Sequence, residues 1–234
     1  MKVEKLLSVT LVLVASSSLA LARQDEKAKP VPASAPIVLS KVKLELAVPV
    51  QGLTKDNAAK VEESLEAMEV VLYECSGCQA MFPKAGSCPT CTTALQVESH
   101  PILDSVTVSP DDGKVTLHTH EGMQLRLSDI ERALGAASVK IDGGKLNITG
   151  NATLVVAGVA NADQAKAIQK ALEDSKLFQK VSATPQGGVG MVEVTAGATG
   201  STRARVEECL AKVAAAHKLQ DVVWNSWSIS KAGP

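Results

Sequence analysis

Residues 41–68 read KVKLELAVPVQGLTKDNAAKVEESLEAM. Between Lys41 and Val50, the apolar residues Val42, Leu44, Leu46 and Val48 occupy alternate positions, the period that sends side chains to one face of a strand. Gly52 turns the chain, and Ala58, Val61, Leu65 and Met68 then recur at the spacing of one helical face. The stretch reads as a strand, a turn and an amphipathic helix.

Working outward past a cysteine-bearing segment, Ile102–Val108 and Lys114–His120 predict two strands joined at Pro110-Asp-Asp-Gly113, a hairpin signal. Ser128-Asp129-Ile130-Glu131 has the form of a capping box, with Ile130, Ala133 and Leu134 as the apolar stripe of the helix that follows. Val139–Ile148, broken by Gly143-Gly144, predicts the closing strand or a strand with a tight bend. The order β-α-β-β-α-β is that of a ferredoxin-like split unit. It recurs with Ala152–Val159 as strand, Asp163–Phe178 as helix, Val181–Thr184 and Gly190–Thr195 as strands, Arg203–Lys218 as helix and Val222–Ile229 as strand. Gly187-Gly188-Val-Gly190 lacks the helix and lysine of a phosphate loop and reads as the hairpin turn of this second unit. The expected fold class is therefore α+β, two ferredoxin-like units at 40–149 and 150–231, with the first interrupted by a four-cysteine insert at 73–95.

Both units resemble the heavy-metal-associated domain, the small βαββαβ unit of copper chaperones and metal-pumping ATPases. In that family, a Gly-Met-x-Cys-x-x-Cys segment after the first strand holds a soft ion between two thiolates. This chain keeps Gly52-Leu53-Thr54 but has Lys55 and Ala58 at the cysteine positions. The second unit has Gly158-Val159-Ala160 followed by Asn161 and Gln164. The resemblance implies the fold without the usual metal loop.

The chain's thiols lie elsewhere. Residues 73–95, YECSGCQAMFPKAGSCPTCTTAL, place Cys75, Cys78, Cys88 and Cys91 as two Cys-x-x-Cys pairs around a short loop. Each pair turns back so that both sulfurs converge, with Gly77 relieving one turn and Pro89 stiffening the other, and tetrahedral zinc takes four such ligands. Tyr73, Met81 and Phe82 are the insert's large apolar groups, too few for a core, so a metal or a crosslink must hold it together. The insert resembles the short heavy-metal-binding domain of efflux adaptors and pumping ATPases at Tyr73, Cys75, Gly86, Cys88, Pro89, Cys91 and Leu95. It departs at Ser76, Gly77, Cys78, Thr92 and Thr93. That family's histidine position is Cys78 here and its methionines are gone, which shifts the expected ion from copper(I) towards Zn²⁺, with another soft or borderline divalent metal as the variant. Two disulfides are a second reading, and a redox-active Cys75/Cys78 pair a third.

The ends and composition set the compartment. Lys2 and Lys5, the apolar run Leu6–Ala15 and Leu19-Ala20-Leu21-Ala22 predict a signal peptide over residues 1–22, and a retained anchor is the alternative. Residues 23–39 read as a flexible linker. Cleavage removes two lysines and one glutamate and moves the formal charge from -1 to -2, leaving no basic surplus for nucleic acid. With only 1 Tyr, 2 Phe and 2 Trp, the chain also lacks a ring platform for carbohydrate or single strands.

His118 and His120 alternate with inward Val115, Leu117 and Thr119 and read as outward polar residues, while His100 and His217 stand alone. Cys209 shares the face of Val206, Leu210 and Val213 and reads as a small buried hydrophobe. Trp224 and Trp227 have opposite parity, so that one packs inward and the other is left available at the surface for a partner contact. No catalytic residue emerges, because four protein ligands would leave a metal no open position. The expectation is an exported, non-catalytic protein of the periplasm or extracellular space. It holds one metal ion and meets an envelope protein partner, with neither nucleic acid nor a membrane span after signal cleavage.

Overall fold

In the computed structural model, residues 36–37, 41–197 and 199–225 are described. The signal segment, nearly all of the linker, Trp227 and the end of the last predicted strand lie outside them. No helix among the described residues is long and apolar enough to cross a membrane. Among the described residues the architecture is α+β, with four helices and antiparallel sheets.

In the first half, β1 (Glu45–Gln51) leads to α1 (Ala58–Glu66), and the chain then enters a ribbon of β2 (Glu69–Glu74), β3 (Met81–Phe82) and β4 (Gln96–Pro101). It returns as β5 (Leu103–Ser109), β6 (Lys114–Thr119), β7 (Leu125–Arg126), α2 (Leu127–Ala136), β8 (Lys140–Ile141) and β9 (Asn147–Ile148). The main sheet runs β5-β6-β1-β8. Leu46, Val48 and Val50 of β1 point towards the helices, where Val61 and Leu65 of α1 meet them, as the two periods require. Met68 is buried as expected, though it lies just past the end of α1. Asn57 organises the turn into α1, accepting from the Thr54 amide at 2.8 Å and donating to the Gly52 carbonyl at 2.9 Å.

The second half has β10 (Asn151–Ala157), α3 (Ala162–Asp174), β11 (Phe178–Gln186), β12 (Val189–Ala196), β13 (Ser201–Thr202), α4 (Arg203–Val213) and β14 (Lys218–Trp224). Its sheet runs β11-β12-β10-β14-β7, the last strand coming from the first half. The β11–β12 hairpin turns through Gly187 and Gly188, both in the left-handed region (φ 60 and 86), as a two-residue type I′ turn demands. Leu154 and Val156 of β10 and Ile168 and Leu172 of α3 are wholly buried.

The two halves share one apolar core, which extends from Leu46 to Trp224 without a break. β7 of the first half pairs with β14 at the edge of the second half's sheet, and β9 pairs with β13 in a separate two-stranded sheet that spans both halves. Arg203 of α4 donates to Glu131 of α2 at 2.7 Å and to its own neighbour Glu207 at 3.0 Å.

Several local expectations need correction. Ser128 does not form a capping box. α2 starts at Leu127, the Ser128 amide and hydroxyl both donate to Asp221 of β14 at 3.0 and 2.8 Å, and Glu131 turns to Arg203. The helix start is thus capped by a carboxylate from the other half, which also suits the positive end of the helix dipole. α3 stops at Asp174 instead of Phe178, because Lys176 adopts a left-handed φ of 55 and Phe178 already pairs with Ala196. α4 stops at Val213 instead of Lys218, since Ala214 is extended and Lys218 begins β14. The expected strand Val139–Ile148 is two short strands on different sheets, separated where the amides of Lys145 and Leu146 both donate to the Asp142 carbonyl.

Candidate metal centre

The ribbon leaves the body between α1 and β5, with β2 and β4 paired from Glu69↔Pro101 to Glu74↔Gln96. The cysteines lie at its far end, where an exposed insertion disturbs no core. The two knuckles have the same build. The amide of Gln79 donates to the Cys75 carbonyl at 2.7 Å and the Cys75 amide to Ala80 at 3.0 Å, while Thr92 donates to Cys88 at 2.8 Å and Cys88 to Thr93 at 2.9 Å. Gln79 and Thr92 each take a left-handed φ of 57 to complete the reversal. Gly77 packs against Cys91, where an added Cβ would stand 3.4 Å from its Sγ.

The four Sγ atoms lie within 4.8 Å of one another. Cys75 and Cys88 are buried, Cys91 is half-buried and Cys78 exposed. Phe82, only 1% exposed, fills the space beneath, flanked by Tyr73, Ala80 and Leu95. The Sγ atoms of Cys78 and Cys88 are 3.7 Å apart, well beyond the roughly 2.0 Å of a disulfide. The four cysteines thus lie close enough to hold a metal ion.

Electrostatics within the cluster are uneven. Burial pushes the Cys75 thiol up, but the Cys78 and Gly77 amides and neighbouring thiols outweigh it and bring Cys75 down to about 6. Cys91 is pushed up to about 12 by its hydrogen bond to Cys78, by burial and by the charge of Cys75. At Cys78 the Ala80 amide favours the thiolate, yet the Cys75 sulfur prevails and the net direction is upward. Without a cation, hydrogen bonding among the thiols favours ionisation at Cys75 and disfavours it at Cys78 and Cys91.

The histidines stand apart from this cluster. His118 on β6 and His120 just past its end are half-buried, while Val115, Leu117 and Thr119 face inward, and His120 Nδ1 lies 3.7 Å from an Asp104 carboxylate. His100 sits on β4, and His217 is buried before β14. Cys209 is buried on α4 and its thiol donates to the Ala171 carbonyl at 3.3 Å; Trp224 is buried too. Among the described residues, the four cysteines are the only group of three or more histidine, cysteine or acidic side chains whose ligand atoms converge this closely.

The loops after β1 and β10 have other work. Asn161 accepts from the Gln164 amide at 3.0 Å while Gln164 Oε1 accepts from the Ala160 amide at 2.7 Å, a reciprocal cap on α3. Sequence reasoning missed this cap, although the Asn-x-x-Gln spacing before an apolar run was its signal. Lys55 pairs with Asp111 at 3.3 Å on the surface. No protein-family model and no curated protein matches this chain. Among solved structures, the chain is similar to the water-soluble region of the P-type ATPase CopA from Bacillus subtilis, with 16% identity and a TM-score of 0.30 over 78% of this chain and 94% of that one.

Proposed function

We propose that the protein is an exported, non-catalytic metal-binding adaptor of envelope metal homeostasis. In this reading two ferredoxin-like units, at 40–149 and 150–231, carry one zinc ion on the insert at 73–95, with Cys75, Cys78, Cys88 and Cys91 as its ligands. The observation that carries the reading is the convergence of the four sulfurs within 4.8 Å from two knuckles of the same build.

Zinc suits this donor set on size and softness. Zn–S bonds of about 2.3 Å give a regular tetrahedron with sulfur–sulfur edges of roughly 3.8 Å, and Cys78 and Cys88 stand at 3.7 Å. Four thiolates without methionine favour zinc over copper(I). A dication also favours the thiolate form at Cys78 and Cys91, which hydrogen bonding among the thiols otherwise disfavours. All four positions are then filled by protein, which leaves no site for an activated water and makes the ion a structural or sensed one. Export rests on the sequence of residues 1–22 and on nothing in the described fold.

The test is metal content and free-thiol count measured together on protein recovered from its export compartment without added metal or reductant. We expect one zinc per chain, with four thiols that react only after chelation or unfolding. Absence of metal together with two disulfides would refute the reading.

A further inference from the structure

The ribbon that carries the cysteines has one open edge. β4 is the outermost strand of its sheet, paired with β2 on one side, and among the described residues no strand pairs with its other side. The opposite edge is partly covered, because the Ile37 amide donates to the Met81 carbonyl at 2.7 Å. Gln96–Ser99 and Pro101 of β4 are all exposed.

Apolar surface gathers beside this edge. Val97 is 63% and Val71 51% exposed, two of three large hydrophobic residues so placed among the described residues. The pairings Tyr73↔Val97 and Val71↔Ser99 put Val71, Tyr73 and Val97 on one face. That face continues into a groove of about 610 Å³ against α1 and α2, lined by Met68, Ile102, Ala67, Ala133 and Ala136. The charge on the ribbon strands has one sign, Glu69, Glu74 and Glu98 with no lysine or arginine; beside them α1 adds Glu62, Glu63 and Glu66 against Lys60, and α2 brings Arg132 and Asp129, paired with each other at 2.6 Å, to the groove. Soluble proteins normally blunt such an edge with lysine or cover it. A second copy of this chain would set one acidic ribbon beside another.

We propose that β4 is a docking edge for an extended segment of a partner protein in which apolar residues alternate with lysine or arginine. The segment adds a strand to the ribbon: main-chain hydrogen bonds supply the pairing, Val71 and Val97 receive its apolar side chains on one face, and Glu98 and Glu74 lie on the other face for its cations. This rests on the metal-holding reading in one respect, that the bound ion orders the far end of the ribbon.

The test uses the zinc-loaded protein and a synthetic eight-residue peptide of alternating lysine and valine. Its controls are a peptide of equal charge with a central proline and one with glutamate for lysine. Amide shifts and hydrogen exchange are followed by NMR. We expect saturable shifts and slowed exchange confined to residues 96–101 and the Val71–Tyr73 face, with no binding of the glutamate peptide. V97K weakens binding about tenfold by adding a like charge at an exposed position, and E98K does the same as an independent variant. Equal binding of the proline peptide, shifts elsewhere, or self-association abolished by V97K would each overturn the proposal. A zinc-loaded protein with ordered residues 73–95 that binds no peptide would sink the docking edge alone. Equal docking to protein stripped of zinc would support the edge and overturn its dependence on the ion, whereas the metal reading stands or falls on the zinc and thiol count.

Discussion

Replacing Asp221 with alanine should destabilise the whole body through the start of a helix in the other half. The Asp221 carboxylate accepts from the Ser128 amide at 3.0 Å, the Ser128 hydroxyl at 2.8 Å and the Val222 amide at 2.8 Å. Loss of a helix cap costs about 0.5–2 kcal/mol, and a hydrogen bond to a charged group about 1.5–3 kcal/mol. Asp221 is only half-buried, so water recovers part of that, and a net loss of roughly 2–3 kcal/mol is expected from these values. For a body of this size each kcal/mol moves Tm by about 2–4 °C, so D221A should lower Tm by roughly 5–10 °C in a single transition. D221N keeps one acceptor oxygen and should lose about half as much. Calorimetry on D221A, S128A and the double variant gives the coupling, expected at about 1 kcal/mol or more for groups in direct contact. Additive effects, or a D221A loss under about 0.5 kcal/mol, would refute the claim that Asp221 ties the halves together. So would two separate transitions in the parent protein.

Chelation of the metal should erase the dispersed amide signals of residues 73–95 while those of β6 and β10 stay in place, because the insert's own core is little more than Phe82 and the cysteines. Unchanged spectra would show that the insert needs no metal. C88S should abolish stoichiometric zinc yet leave the thermal transition of the body within a few degrees, measured by metal analysis and circular dichroism; a collapse of the body would place Cys88 in its core. L154A removes a side chain with no exposed surface on β10 and should cost about 2–5 kcal/mol by denaturant titration. N161A breaks the reciprocal cap on α3 and should cost about 1 kcal/mol with no change in metal content.

What could be read from the sequence follows from how local each cause is. The alternation of Leu44, Leu46 and Val48 marked β1, and the two glycines after Gln186 marked the β11–β12 hairpin, because strand period and turn chemistry are written in neighbouring residues. The convergence of the cysteines was legible for the same reason, since each knuckle closes within a few residues. The cap of α2 was not. Ser128 had a suitable Glu131 three residues on, but Asp221 and Arg203 compete for these side chains from far along the chain, and nothing near Ser128 announces them. The strand after Val139 failed similarly, since β9 takes its register from β13. The ends of α3 and α4 were overrun because their apolar period runs on into the residues that open β11 and β14.

The positions at which the resembled family places its thiolates help explain why metal chemistry would sit on a ribbon. In the second half, Asn161 and Gln164 supply the first turn of α3 with its cap; in the first, Asn57 closes the turn between Lys55 and Ala58. Cysteines at 161 and 164 would give up both of those hydrogen bonds, and the packed core directly beneath leaves the loop little freedom to rearrange. An insert between α1 and β5 carries no such constraint. Its strands pair with each other, its cysteines contact Phe82 within the insert, and it meets the body at its foot through the Met68–Ile102 hydrogen bond and the packing of Val70 against the core. A site built there can gain or lose its ion without straining the sheets, and the change it undergoes falls on β3, β4 and the open edge. Metal occupancy would then be read by whatever docks on the ribbon and not by the body that holds it.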